Sequence, residues 1–371
     1  MERTRFVETG SSSFFGDYLY DQVVPQDHFL RELRKVVDWE YFTKKLIKLY
    51  KGQGMVGRPP FDPALVLKVE VIAYLYKLSE RQVEVYVNES FPAKYFVGLA
   101  ADEKAPDHST LTTFRERLLK TGKLKIFEEM LDTMVREAML QGVKFGSIQV
   151  IDSVHSIADV NTDKDQKRQE KEGKGPHDPD AQWGVKHKRK IKNEKGEKEE
   201  QTEYFYGYKA HVSLNAESGL ITSLEVTSGE AYDGHHFCSL VEHDLQQKLP
   251  VDTYAGDKGY DDGNNHFYLE YRGLHSAIHL KRTRTEKKDG NKQIWLELEK
   301  TDQYKEGLQE RYKIERKFGE AKQSHGLGRC RYVGKARFAI QSFLTAIVLN
   351  LKRMVKLLSG VNFRARAYAT E

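Results

Sequence analysis

The stretch 147–155, SIQVIDSVH, is a short apolar run bounded in front by Gly146 and carrying one acid, Asp152, near its end. Val150 and Ile151 are β-branched, and the run has the length of a strand, so it reads as a buried strand. A carboxylate beside such a strand is costly to bury unless it is paired, hydrogen-bonded or on a metal. Two readings follow. Taken alone, Asp152 is more often a strand-end acid that caps a turn; the sharper reading makes it half of a metal site. The stretch also marks a change of texture. Helical periodicity precedes it and strands follow it, which points to a helical region and then a mixed α/β layered domain.

The chain has 371 residues, enough for two or three domains. It is 31% charged and 39% hydrophobic, the balance of a globular protein with polar insertions. Its two cysteines, Cys238 and Cys330, lie far apart, which argues against a disulfide scaffold or a zinc site and fits a reducing cytoplasm. No continuous apolar run reaches the roughly 20 residues a membrane span needs, and the first residues, MERTRFVETGSSSFFG, hold no signal-peptide core. A cytoplasmic protein without a membrane partner is therefore expected. A net charge of +5 permits nucleic acid as a partner without requiring it.

Residues 1–26 read as an extended or irregular arm. Residues 27–140 read as an all-helical domain. Asp27 opens a helical pattern to about Tyr50 with a break near Asp38, GRPPFDP (57–63) is a loop, and Ser79 with Gln82 forms a capping box. Arg58, Lys94, Arg115 and Arg117 are candidate phosphate contacts, which would make this the DNA-binding domain. From spacing alone a plain bundle with solvated charges is slightly favoured.

Residues 145–358 read as the second domain, with a tail at 359–371. The charge-rich insertion 164–201 reads as a surface loop, and KHKRKIK (186–192) within it is a candidate DNA contact. A hairpin follows over 204–215 and 220–228, then helix, strand, helix and strand to Leu280. A polar insertion covers 283–300. One helix is expected over 303–324 and a strongly apolar one over 336–358.

Further carboxylates join Asp152. GDKGYDD (256–262) places Asp257 just past a strand in a glycine-bounded turn, where a ligand can approach closely. Asp261 and Asp262 compete with it, but both suit the start of the next helix. In RYKIERKFGEAK (311–322), at about 100° per residue with Arg311 at zero, Glu315 falls near 40°, Lys322 near 20°, Ile314 near 300°, Phe318 near 340° and Glu320 near 180°. Glu315 is then the acid at the core boundary and Glu320 the solvated one. The plain alternative is an ordinary Arg311–Glu315 ion pair worth about 0.2–0.5 kcal/mol. Three acids on a strand, a strand end and a helix suit hard cations such as Mg²⁺. Two of them about 3.5–4 Å apart activate an attacking oxygen and stabilise a leaving one. Arg311 and Lys322 then suit the phosphate backbone.

At these residues the chain resembles the DDE transposases of bacterial insertion sequences, in the group that comprises families four and five. The resemblance rests on Asp152, on Asp257 in Asp-x-Gly-Tyr, and on Arg311-x3-Glu315-x6-Lys322. It extends to residues 206–237, to HDPDAQWG (177–184), and to GRPPFDPALVLK and PDHSTLTTFRERL in the helical part, so it covers nearly the whole chain in the expected order. One position departs: Leu308 stands where the group carries a tyrosine assigned to DNA contact.

The resemblance implies an RNase H-like mixed-sheet catalytic domain, preceded by the all-helical one. It implies Asp152, Asp257 and Glu315 as catalytic and metal-binding acids, two Mg²⁺ per site with Mn²⁺ as a substitute, and DNA contacts from Arg311 and Lys322. It implies cleavage of double-stranded DNA at terminal inverted repeats, attack of the released 3′-OH on target DNA, and a homodimer or higher oligomer, associated with the nucleoid when bound. Two alternatives are carried with it: a metal-dependent nuclease without strand transfer, and an inactive or repurposed DNA-binding protein. His155, His211, His235 and His236 are read as structural or surface residues, because magnesium prefers oxygen ligands.

Overall fold

The computed structural model describes residues 6–7, 9–10, 14–50, 59–122, 124–192, 198–281 and 292–363. The chain divides into two compact units: Met1–Val143 with Leu344–Glu371, and Lys144–Phe343. The expected division between 140 and 145 therefore falls at Val143/Lys144. The end of the second domain differs from expectation, since residues from Leu344 onward group with the helical unit. The boundary falls within one unbroken helix, Lys335–Ser359, whose residues up to Phe343 group with the sheet unit and those from Leu344 with the helical one. By length and composition this helix is apolar enough to cross a membrane, but 78% of its most apolar window is buried inside the protein, as in a core helix.

The helical unit contains α1 (Phe14–Val23), α2 (Phe29–Lys35), α3 (Trp39–Leu46), α4 (Pro63–Leu75), α5 (Glu80–Glu89), α6 (Phe91–Val97), α7 (His108–Lys120) and α8 (Lys125–Leu140). α1 lies in the stretch read as an irregular arm; its FFGDYLYDQV is too short and mixed to announce a helix. The pattern expected to open at Asp27 is instead capped by His28, whose Nδ1 accepts from the Leu30 amide, and the capping box at Ser79 is present as expected. Asp38 accepts from the Glu40 and Tyr41 amides, Asp62 from the Ala64 amide, and Ser79 and Gln82 exchange both bonds of the capping box. α4 is buried on nearly every side, as its continuous apolar sequence requires.

Three of the four candidate phosphate contacts are engaged within this unit. Arg115 is buried between Glu70 and Glu80. Lys94 donates to the Ala101 carbonyl at 2.6 Å. The Arg117 guanidinium lies 4.5 Å from the Tyr50 ring centroid. Arg58 lies outside the described residues.

The second unit is built on one sheet. Its strands are β1 (Ile148–Ile157), β2 (Gln182–Lys192), β3 (Lys198–Asn215), β4 (Ile221–Ser228), β5 (Thr253–Gly256) and β6 (His275–Ile278). The order is β2-β3-β1-β5-β6, with β4 also on β3. β1 pairs antiparallel with β3, β3 antiparallel with β4, and β5 and β6 run parallel to β1. From β4 to β6 this is the expected RNase H-like mixed sheet, with β1 at its centre. β3 divides at Gly207: residues before it pair with β2, residues after it with β1 and β4. Only glycine fits there, since a Cβ would stand 2.0 Å from the Ser156 carbonyl oxygen.

The insertion expected as a loop over 164–201 instead holds most of α9 (Thr162–Glu172), β2 and the start of β3. The ribbon has no alternating pattern because it extends past the main sheet, and Trp183, Val185 and Tyr204 on it stay exposed. Of the basic run 186–192, only the Lys186 side chain is described, and it pairs with Glu203. Half of the polar insertion, 283–291, lies outside the described residues, as does the tail from 364; Lys292–Leu298 is helical (α12).

α10 (Phe237–Gln246) and α11 (Gly263–Tyr271) cover one face of the sheet, where Phe237, Leu240, Val241 and Leu269 pack with Ile151, Tyr254, Tyr260 and Ile278. α13 (Asp302–Glu310) lies on the other face. Its Gly307 permits that approach, because a Cβ there would stand 2.4 Å from the Ala277 Cβ. The single helix expected over 303–324 is thus two. α14 (Tyr312–His325) follows α13 after a turn at Arg311, whose amide bonds back to the Leu308 carbonyl at 3.4 Å.

Candidate active site

β1 and β5 are parallel neighbours, and the last pair in their register sets Ile151 opposite Gly256. Asp152 and Asp257 are the next residue on each chain. Neighbouring strands stand about 4.8 Å apart, so the sheet itself brings these two acids side by side. Both are partly buried. Asp152 is pushed up to about 7, first by burial and then by the charge of Asp257. Its Oδ1 accepts from the Ser153 amide at 2.8 Å, and Arg311 partly offsets the rise. Asp257 caps the short turn Lys258–Tyr260 by accepting from the Gly259 amide at 2.7 Å.

A further acid, Asp233, stands in the same neighbourhood and was not singled out from the sequence. It begins the turn after β4, where its Oδ2 accepts from the Ser153 hydroxyl at 3.0 Å and its Oδ1 from Lys209 Nζ at 2.8 Å. It also raises the Asp152 carboxyl. A Cβ built on Gly259 would stand 2.8 Å from Asp257 Oδ1 and 3.7 Å from Asp233 Oδ2, so this glycine keeps side-chain bulk away from both acids. Tyr260 is fully buried beside them. Burial and then the charges of Asp152, Asp233 and Asp257 raise its pKa, with a hydrogen bond to Ser153 opposing. The sequence signal for Asp233 was slight: one acid before glycine and two histidines, in a segment read only as hairpin and helix start.

The helical half of the site is arranged differently from expectation. Arg311 Nη2 lies 3.7 Å from Glu315 Oε1, so the expected ion pair forms. Yet the Glu315 side chain is 62% exposed and the Glu320 side chain 34% exposed. The order assigned from the helical wheel is therefore reversed. The buried stripe of α14 is Ile314, Ala321 and His325. At about 100° per residue it centres near 300°, which leaves Glu315 and Glu320 on opposite flanks. Arg311 links the two halves, acting on Asp152 while pairing with Glu315.

Lys322 also reaches the site. Its Nζ is 3.5 Å from His155 Nε2, and its pKa is lowered by burial and by Lys186, with Asp152 opposing. His155 packs on Phe205 and is pulled down to about 4 by burial and then by Lys322 and Lys186. The two competing acids are occupied elsewhere. Asp261 is buried against His266 and the Lys281 amide, and Asp262 caps α11. His211 is tied to Thr227 and His236 to Glu225, which agrees with a structural role for both.

The donor set fits a hard divalent cation in part. Asp152 and Asp257 offer carboxylate oxygens, and a cation between them relieves the repulsion that raises Asp152. Gly259 leaves the acids uncrowded. Among the described residues, however, no three His, Cys, Asp or Glu side chains already stand as a metal-holding group. The sheet brings together Asp152 and Asp257, whereas Glu315 faces solvent beside Arg311.

Comparison with known proteins bears on this geometry. Residues 18–117 match the model of a transposase domain (DUF772), and residues 156–351 match that of the transposase DDE domain. The second match spans more than half the chain and contains Asp257 and Glu315, while Asp152 lies just before it. Among solved structures, a piggyBac transposase synaptic complex with hairpin DNA is similar at 10% identity and a TM-score of 0.41, covering 87% of this chain and 73% of that one. A Mos1 transposase paired-end complex with the left transposon end is similar at 11% identity and a TM-score of 0.21, covering 81% and 90%. With the transposase DDE domain matched across most of the sheet unit and the transposase domain across the helical one, the chain belongs to the DDE transposase family.

Proposed function

We propose that this transposase binds the terminal inverted repeats of an insertion sequence and cuts and joins DNA through a divalent-cation site on Asp152, Asp257 and Glu315. The observation that carries the proposal is the placement of Asp152 in β1 and Asp257 just past β5, each one residue beyond the parallel pair Ile151–Gly256, with Arg311 and Lys322 acting on Asp152. Two magnesium or manganese ions, when bound, supply activation of the attacking oxygen and stabilisation of the leaving one. The chain's own residues supply the rest. The hydrogen-bonded sheet fixes Asp152 and Asp257, and the Ser153 amide orients the Asp152 carboxylate. Glu315, on the first turn of α14 and paired with Arg311, would complete the acidic set that holds the cations. Arg311 and Lys322 hold the phosphate backbone of the DNA. Water as the attacking group releases a 3′-OH at the element end, and that hydroxyl then attacks the target phosphodiester. The helical unit contributes DNA contacts, and the protein acts on paired ends as a homodimer or higher oligomer.

The proposal is tested with Asp152→Asn and Asp257→Asn proteins on labelled terminal-repeat DNA. Each is expected to lose Mg²⁺-dependent cleavage while still binding the ends. Wild-type cleavage by either variant overturns the assignment.

A further inference from the structure

Asp233 is an acid that the proposed triad does not use, although it stands within the same cradle. Both its oxygens are committed. Oδ1 accepts from Lys209 Nζ at 2.8 Å, and Oδ2 accepts from the Ser153 hydroxyl at 3.0 Å. Ser153 in turn donates its amide to Asp152 Oδ1 at 2.8 Å. A continuous chain thus runs from Lys209 through Asp233 and Ser153 to Asp152. Lys209 is also anchored by the Ala231 carbonyl at 2.8 Å, and its side chain is only 13% exposed.

A second observation points to a ligand at this place. The Tyr260 side chain is fully buried beside Ser153, with Asp152, Asp233 and Asp257 as its charged neighbours. The charges of Asp152, Asp233 and Asp257 thus gather around one buried side chain, a concentration of negative charge that a bound cation relieves. Gly259 leaves the approach free of a side chain.

We propose that Asp233 is a positioning residue for the cation site: through Ser153 it holds Asp152 in place, and by pairing with Lys209 it keeps that ammonium off the cation's carboxylates. The inference rests on the cation site of the proposed function and adds a residue outside its triad. Asp233→Asn keeps the shape and removes the charge, which frees Lys209 to compete for Asp152 and Asp257. Ser153→Ala keeps the charge and cuts the link to Asp152. Partners of this kind are typically worth about 10–100-fold in metal affinity.

The test is Mn²⁺ binding to the full chain without DNA, followed by electron paramagnetic resonance of the free ion. Melting temperature of the metal-free protein is recorded in parallel, to confirm that each variant is folded. Both Asp233→Asn and Ser153→Ala are expected to weaken Mn²⁺ binding by about 10-fold or more. An affinity within about twofold of the unsubstituted chain in either folded variant overturns the role of Asp233. If Asp233→Asn fails to fold, Ser153→Ala decides alone. Asp152→Asn separates this inference from the one beneath it. Unchanged Mn²⁺ affinity in Asp152→Asn, or no Mn²⁺ binding by the unsubstituted chain, overturns the cation site itself.

Discussion

Asp152, within β1, and Asp257, just past the end of β5, each follow by one residue the parallel pair Ile151–Gly256. The sheet pairing thus sets the level of the two acids, and the turn that Asp257 caps sets its orientation, as a proposed cation site requires. Glu315 is placed by a different device. It rides on α14, which follows α13, and Gly307 lets α13 lie close on β5 and β6. The two halves meet at Arg311.

Glu315→Gln is expected to lower cleavage by about 10²–10³-fold, the usual cost of removing one preorganised charge from a phosphoryl- or acyl-transfer site. Binding to terminal-repeat DNA is expected to persist. A single-turnover cleavage assay measures the first and a gel-shift titration the second. Normal strand transfer by Glu315→Gln removes it from the acidic set.

The Asp152 carboxyl, pushed up to about 7, makes the metal-free protein pH-sensitive. The native state holds a proton that the unfolded chain has released, so this group's stabilising contribution is fully present below about pH 4 and is lost as pH rises through about 7. A divalent cation needs the ionised form, so its affinity falls by about tenfold for each pH unit below that value. Thermal melting with and without Mg²⁺ checks both statements: the metal-induced rise is expected to be small near about pH 5.5 and larger near about pH 8. In Asp152→Asn the metal-free pH dependence of this window is expected to flatten. A metal-induced shift that is the same at both pH values contradicts the assignment.

Lys322→Ala is expected to weaken DNA binding and to reduce the slope of log affinity against log salt by about 1, the signature of one lost phosphate contact. Filter binding over a range of salt concentrations measures it. An unchanged slope moves Lys322 off the backbone and leaves it as the partner of His155.

Much of the site was legible because its chemistry and its local pattern coincide. The run SIQVIDSVH forms strand β1, GDK marks the end of β5, and Asp262 caps α11 as its position suggests, whereas Asp261 is buried against His266 and the Lys281 amide. The features that were not legible depend on tertiary placement. Asp233 reaches the site only because the turn after β4 folds back beside Ser153. The wheel placed Glu315 correctly against Arg311, but the buried stripe is set by Ile314, Ala321 and His325, which a local segment does not disclose. Arg115 looked like a phosphate contact, and it is instead neutralised inside the helical unit by Glu70 and Glu80. The ribbon of β2 and β3 reads as a loop in the sequence because its charged residues show no alternation of apolar and polar positions.

Gly307→Val tests how the helical half is held. The new Cβ meets the Ala277 Cβ at 2.4 Å, so α13 must move off the sheet. Overpacking of this kind costs about 1–3 kcal/mol, more than the roughly 1 kcal/mol that removing a helical glycine returns. Urea denaturation is expected to show the loss, and cleavage is expected to fall with it because Arg311 and Glu315 shift. An unchanged midpoint contradicts the packing role of Gly307.

The central claim is that Asp152 and Asp257 form the metal-dependent centre of a DNA-cutting and DNA-joining enzyme. The most direct measurement incubates the protein with a duplex carrying the terminal inverted repeat that flanks its gene, with Mg²⁺ or with chelator, and maps the products at nucleotide resolution. The account predicts a cut at the repeat end that leaves a 3′-OH, joining of that end to target DNA, and loss of both with chelator or with Asp152→Asn. Cleavage that persists in Asp152→Asn, or that proceeds equally in chelator, contradicts it.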